Sequence, residues 1–148
     1  PPPHPPRPPP ARYDLGACYH DMGAIGEAIR CYTRALSLAP CDPQPHSNLG
    51  AAFQQSGRAR EAIRCYRRAL ELDMYSVSAA TNLGSLLVSR GRLRAAKALL
   101  GSLPEELAED AQIEMLWMDI EQVEGETVEG ETVEGETVEG GVEGEVVE

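Results

Sequence analysis

Apolar residues along this chain return in a fixed order. Set in rows of 34 that begin at Pro9, Pro43 and Val77, the sequence repeats residue types column by column. Column 7 holds Leu15, Leu49 and Leu83, column 8 Gly16, Gly50 and Gly84, and column 11 Tyr19, Phe53 and Leu87. Columns 4, 7, 8 and 11 share one helical face, so they predict a first helix in each row. Column 20 holds Ala28, Ala62 and Ala96, column 24 Tyr32, Tyr66 and Leu100, and column 27 Ala35, Ala69 and Leu103, which predicts a second helix. Gly23, Gly57 and Gly91 at column 15 stand between the two, where a tight turn calls for positive φ. Gly at column 8 and Ala at column 20 let the helices approach closely, and the column-24 tyrosines fill the wider part of the gap.

Each row is therefore an antiparallel helix pair with one apolar side, and it can bury that side only against the next row. Burial of each large apolar side chain stabilises by about 1.5–3 kcal/mol, too little for a lone pair to overcome its ordering entropy. Gly101 and Pro104 stop the third row's second helix about a turn early. Beyond them, Ser102 and Glu105 have capping-box spacing, and Ile113, Leu116, Trp117, Ile120 and Val123 keep helical spacing. These residues predict a C-terminal capping helix over about 104–123 that shields the last repeat.

The ends differ from the middle. Eight of the first ten residues are Pro, which favours polyproline II over helix or sheet. All 13 basic residues and 13 of the 24 acidic ones lie in residues 1–120, so the net charge of −11 resides in residues 121–148. That acidic end contains ETVEG in tandem at 126–130, 131–135 and 136–140, and it has too few apolar groups to offset chain entropy. Tandem identity of this kind also arises by slippage in a repetitive gene. The expected organisation is a disordered proline-rich segment at 1–10, a repeat domain at 11–123 (repeats at about 9–42, 43–76 and 77–110, then the cap), and a disordered acidic low-complexity tail at 124–148.

The 34-residue pattern resembles the tetratricopeptide repeat family, whose consensus is W-x2-L-G-x2-Y…A-x3-F-x2-A…P. Leu15, Gly16, Tyr19, Ala28, Tyr32, Ala35 and Pro40 match it in the first row; Leu49, Gly50, Phe53, Ala62, Tyr66 and Ala69 match in the second. The Trp column departs, holding Arg12, His46 and Ala80, and the Pro column holds Met74 and Ala108 after Pro40. The resemblance implies an all-α fold, an alpha-alpha superhelix of three helix-turn-helix repeats plus a C-terminal capping helix, and a role in binding other proteins.

Motifs for phosphate loops, zinc proteases, serine hydrolases and dinucleotide binding are absent from the sequence, as is metal-ligand spacing among Cys18, Cys31, Cys41 and Cys65. The cysteines read as reduced thiols packed as small hydrophobes. His4, His20 and His46 read as surface or half-buried positions. No catalytic residue, cofactor or metal is expected. No apolar run is long enough to span a bilayer and no signal-peptide pattern is present, so the expected location is intracellular, cytoplasmic or nuclear, without membrane association.

In stacked helix pairs the first helices line a concave groove. Column 6 there holds Asp14, Asn48 and Asn82. An amide side chain both donates and accepts, so a row of asparagines can grip the backbone of an extended peptide without reading its sequence. This is similar to the asparagine ladder in the repeat arm of O-GlcNAc transferase. The resemblance implies peptide contacts from Asn48 and Asn82, whereas Asp14, acceptor-only, departs from it. The same residues also suit a plain solvated helix face. Tyr13, Ala17, Ala51 and Ser85 would shape the groove, with Gln44, Ser47, Gln55, Ser78, Thr81 and Ser89 nearby. Co-chaperones of this family that hold C-terminal EEVD tails use Lys, Asn, Asn, Lys and Arg where this chain has Tyr13, Ala17, Asn48, Ser78 and Asn82. With one match and no cation, chaperone-tail binding is not expected.

The second helices carry Arg58, Arg60, Arg64, Arg67 and Arg68, then Arg90, Arg92 and Arg94 follow. Glu61 and Glu71 interrupt the basic run and aromatics are few, so a solvated outer face is expected rather than a nucleic-acid site. PPRPPP could serve an SH3 or WW partner through polyproline II, or act as a linker. The expected function is a non-catalytic scaffold that binds an extended segment of a partner protein in its groove. The alternative is the substrate-recognition arm of a larger enzyme of the O-GlcNAc transferase type, which a chain beginning with Pro leaves open.

Overall fold

The computed structural model describes residues 11–134. The proline segment at 1–10, with its SH3 or WW reading, and residues 135–148 of the acidic tail lie outside the described residues. Seven α-helices follow in order: α1 (Ala11–Asp21), α2 (Ile25–Leu38), α3 (Pro43–Gln55), α4 (Ala59–Leu72), α5 (Val77–Ser89), α6 (Leu93–Gly101) and α7 (Ala111–Glu134). A short 3-10 turn, Glu105–Leu107, lies between α6 and α7. There is no strand among the described residues.

The turn inside each pair is built the same way three times. Gly23, Gly57 and Gly91 have φ of 77°, 77° and 68°. The next residue's N–H then reaches back to the first helix: Ala24 to Tyr19 O at 2.8 Å, Arg58 to Phe53 O at 2.8 Å, and Arg92 to Leu87 O at 2.9 Å. These bonds satisfy carbonyls that a helix end would otherwise leave open. The turns between pairs rely on side chains instead. The Asp42 carboxylate accepts from Gln44 N at 3.1 Å, with Pro43 opening α3, and Ser76 Oγ accepts from Ala79 N at 3.4 Å.

Within a pair, the tyrosine ring covers the glycine. Tyr32 and Tyr66 are 0% and 1% exposed. A Cβ placed on Gly16 would stand 2.7 Å from the Tyr32 ring, and one on Gly50 would stand 2.8 Å from the Tyr66 ring. The third pair has no tyrosine, and its glycine is covered from outside the repeat: Leu116 of α7 packs directly on Gly84. Between pairs, Ile25, Ile29 and Leu36 of α2 join the cluster containing Leu49 and Ala52 of α3. Ala59, Ile63 and Leu70 of α4 likewise join the cluster containing Leu83 and Leu86 of α5.

Helix α7 occupies the place of the next repeat's first helix, burying Ile113, Leu116 and Ile120 against α5 and α6. Trp117 packs partly buried in the same cluster rather than standing free for a partner. Lys97 falls at column 21, where the earlier rows have Ile29 and Ile63, and its Nζ donates to Glu124 Oε2 of α7 at 2.5 Å. Helix α6 ends at Gly101 while α2 and α4 run to 14 residues, and a cleft floored by Leu83 and Leu87 remains on the outer side between α4 and α6.

Several expectations differ from what is observed. Ser102 does not start the capping helix. Its Oγ donates to Leu99 O at 2.6 Å and closes α6. The helix start falls to Asp110, whose carboxylate accepts from Gln112 N at 2.9 Å. Helix α7 therefore begins at Ala111 instead of about 104 and runs to Glu134 instead of ending at 123. A helix anchored by packing extends cheaply through the glutamates that follow, even at a cost for each Gly. The cysteines also divide: Cys31 and Cys65 are half-buried, but Cys18 and Cys41 are exposed. Burial pushes the Cys65 thiol up to about 11. The Arg-rich outer face is partly neutralised at close range by the ion pairs Arg30–Glu27, Arg58–Glu61 and Arg68–Glu71, each between residues three apart.

Two measurements check this packing. Gly50→Ala forces a methyl into the Tyr66 ring and is expected to cost about 1–3 kcal/mol in urea unfolding. With iodoacetamide at pH 8, Cys18 and Cys41 are expected to react first. Cys65 should lag and speed up as pH rises toward its value of about 11, because only the thiolate attacks. Equal rates at all four thiols would contradict the assigned burial.

Candidate functional site

The helices form two layers. Successive first helices touch, α1 on α3 and α3 on α5, while contacts between successive second helices are sparser. The closer layer lies on the inside of the curve, so α1, α3 and α5 present the concave face.

The apolar columns of these helices turn toward their partners, which leaves columns 2, 5, 6, 9, 12 and 13 for the inner face. In the second and third rows this face carries Gln44, Asn48, Ala51, Gln54 and Gln55, then Ser78, Thr81, Asn82, Ser85, Val88 and Ser89. The first row contributes Tyr13, Asp14, Ala17, His20 and Asp21. None of these positions is Lys or Arg. Asp14, Asn82 and Ser85 are exposed, whereas Tyr13, Ala17, Asn48 and Ala51 are half-buried.

Two of the sequence-predicted residues meet directly. Asn48 Nδ2 donates to the Tyr13 hydroxyl at 2.9 Å, bridging the first and second repeats. One amide hydrogen of Asn48 is thus committed within the fold, and the same side chain also lies close to the Tyr32 hydroxyl. Ser47, expected beside the groove, is only 8% exposed and belongs to the core side of α3. The hydroxyls of Thr81 and Ser89 turn back to their own helix, donating to Val77 O at 3.0 Å and Leu86 O at 2.9 Å.

Sequence reasoning missed a second feature of this face, the pairing of column 12 with column 24. In the second repeat the Tyr66 hydroxyl donates to Gln54 Oε1 at 3.0 Å. In the first repeat the equivalent residues are His20 and Tyr32, whose rings meet edge to face with centroids 6.4 Å apart. This arrangement leaves His20 Nε2 buried without a hydrogen-bond partner, while the buried Tyr32 hydroxyl makes no well-formed bond and has only the Asn48 side chain near it as a bonding partner. Tyr13 lies against Tyr32 on its other side, with centroids 6.0 Å apart. The third repeat answers with two apolar residues, Val88 and Leu100. The three pairs Tyr–His, Tyr–Gln and Leu–Val change together along the rows, a signal already present in the sequence. Burial, then the neighbouring Tyr13, raises the Tyr32 hydroxyl above the ordinary phenol range. Burial likewise pushes the Tyr66 hydroxyl up to about 12.

Among the described residues there is no cluster of three or more His, Cys, Asp or Glu able to hold a metal, and no helix long and apolar enough to cross a membrane. The fold and this polar inner face define a helical-hairpin scaffold. The repeat register then assigns the family. A model described as a TPR repeat matches residues 16–57, and one described as a tetratricopeptide repeat matches residues 53–116. The chain belongs to the tetratricopeptide repeat family.

No curated protein matches the chain in sequence. Among solved structures, the chain is similar to the Sgt2 TPR domain from Aspergillus fumigatus, with a TM-score of 0.70 and 23% identity over 94% of this chain and 93% of that one. It is also similar to the TPR2B domain of yeast Sti1 in complex with an Hsp70 peptide, with a TM-score of 0.68 and 23% identity over 76% of this chain and 94% of that one. The first TPR of Spaghetti (RPAP3), bound to an HSP90 peptide, gives a TM-score of 0.70 and 21% identity over 78% and 91%. At these identities the similarity establishes the fold.

The two tyrosine pairs give opposite expectations. Tyr66→Phe removes a satisfied hydrogen bond and should cost about 0.5–1.5 kcal/mol. Tyr32→Phe removes a buried hydroxyl that makes no well-formed hydrogen bond and should leave stability unchanged or raise it. Urea unfolding of the two variants side by side checks both, and a loss at Tyr32→Phe as large as at Tyr66→Phe would show that its hydroxyl is bonded.

Proposed function

We propose that the chain is a non-catalytic binding module that holds an extended segment of a partner protein along α1, α3 and α5. The observation that carries this reading is the chemistry of the concave face, where amides and hydroxyls recur in the second and third repeats and no described inner position is Lys or Arg. Asn48 and Asn82 supply donors and acceptors for a peptide backbone, and Asp14 supplies an acceptor at the first repeat. Tyr13, Ala17, Ala51 and Ser85 shape the floor. The bond from Asn48 to Tyr13 fixes the amide in place before a ligand arrives, which lowers the ordering cost of binding.

Solved structures of this fold are described as bound to Hsp70 and HSP90 peptides, two of them ending in EEVD. That precedent supports a peptide as the ligand class. The absence of Lys or Arg at the inner positions argues for a different peptide, since a terminal carboxylate needs charge-assisted donors. A segment held in mid-chain, through its backbone, fits the groove better.

A peptide array screened with the full chain supplies ligands, whose affinities are then measured by fluorescence anisotropy. Asn48→Ala with Asn82→Ala is expected to weaken binding about tenfold or more, from two hydrogen bonds of about 0.5–1.5 kcal/mol each. A C-terminal EEVD peptide is expected not to bind. Unchanged affinity in the double variant rules out the asparagine mechanism.

A further inference from the structure

The first repeat's end of the groove differs from the rest in charge. At column 6 it has Asp14 where the later rows have Asn48 and Asn82, and at column 13 it has Asp21 where they have Gln55 and Ser89. Both aspartates are exposed, and neither has an ion-pair partner among the described residues. Their i, i+7 spacing puts them on one face of α1, about 10 Å apart along it. The helix itself accounts for only one of them. Asp14 is in the first turn, where free N–H groups favour a negative charge. Asp21 is the last residue of α1, where free carbonyls oppose one, and no Lys or Arg side chain among the described residues offsets that cost.

The aromatic group of the first repeat adjoins these carboxylates. Tyr13, next to Asp14 in the chain, is half-buried and the one tyrosine at an inner position. The Tyr32 side chain beneath it is 0% exposed, and its hydroxyl makes no well-formed hydrogen bond. That hydroxyl is aimed at the groove, because Tyr13, Asn48 and Asp21, all on the inner face, are among the groups that act on it. His20 Nε2, beside the same ring, is likewise buried without a partner. Carboxylates and phenol oxygens accept hydrogen bonds, and ring faces attract positive charge. All of them call for a cation with N–H donors, and the inner positions contain no Lys or Arg to supply it.

We propose that the first-repeat end of the groove is a subsite for a basic side chain of the bound segment, a Lys ammonium or Arg guanidinium held against Tyr13 and between Asp14 and Asp21. This rests on the groove reading above and adds the charge of the guest to it. Midway between the two carboxylates the cation stands roughly 5 Å from each, given the rise of the helix. Asn48 and Asn82 hold the backbone beyond it. The same carboxylates repel an acidic guest, so the groove selects by charge in both directions.

The peptide array screened with the full chain tests the subsite. Its binders are expected to carry Lys or Arg more often than the array as a whole. In one such binder, replacing the basic residue by norleucine keeps an apolar stem and removes the charge. Fluorescence anisotropy is expected to show about tenfold weaker binding of that form. Asp14→Asn with Asp21→Asn should weaken the basic form by a similar factor, leave the norleucine form unchanged and preserve the circular-dichroism melt, since both side chains are exposed. Asn48→Ala with Asn82→Ala should weaken both forms, which separates the subsite from the backbone contacts. Binders with no excess of Lys or Arg overturn the subsite and leave the groove reading standing. So does a basic form that the double aspartate variant binds as tightly as before. An array without any binder overturns both.

Discussion

The structure depends on how closely two helices can approach inside a pair. A tyrosine ring laid flat on a glycine sets that distance in the first two repeats, with no room for a single added carbon. Everything else is positioned from there. The ring is fully buried, its hydroxyl end points toward the inner layer, and the apolar backs of the helices are left facing the next pair. In the third repeat the same close approach is kept by a leucine borrowed from α7. The capping helix is therefore part of the last repeat's own packing as well as a lid over it.

The concave face follows as a by-product of this arrangement. Once columns 7, 8 and 11 are committed to neighbours, the residues left on the inside of the first helices are uncharged in the second and third rows, and all but Ala51 and Val88 are polar. The first row is different in kind. Tyr13, His20 and Tyr32 form an aromatic group beside Asn48, with two buried polar atoms that make no well-formed hydrogen bond. Orphaned groups of this sort are rare in native cores and raise the cost of the arrangement that keeps them. The groove thus has an aromatic end at the first repeat and a hydroxyl-rich end at the third.

Much of this was legible in the sequence. A period of 34 with glycine at columns 8 and 15 placed the three pairs, their turns and their buried tyrosines, because each column answers to a local requirement: a positive φ, a close approach or a helical stripe. What was not legible involved competition between neighbours. Ser102 and Asp110 both suit a helix start, and only the end of α6 decides that Ser102 is already engaged. Cys18 shares its column with buried Ala52 and Leu86, yet burial there depends on a preceding pair, which no column records. Ser47 lies one residue from Asn48 and still falls on the core side of α3. The Asn48–Tyr13 bond joins residues 35 positions apart, and side-chain choices at that separation are set by the superposition of whole repeats.

Lys97 and Glu124 give the C-terminal helix an unusual fastening. Where earlier pairs present an isoleucine to the helix that follows, the last pair presents an ammonium group, and the two partners remain 40% and 39% exposed. The inner half of α7 is held by Ile113, Leu116 and Ile120, a bond of oil that ionic strength does not weaken. Its outer half leans on a charge that dissolved ions can shield. The array should accordingly loosen from this tip inward, with the ionic surroundings of the protein setting how far its last helix stays docked.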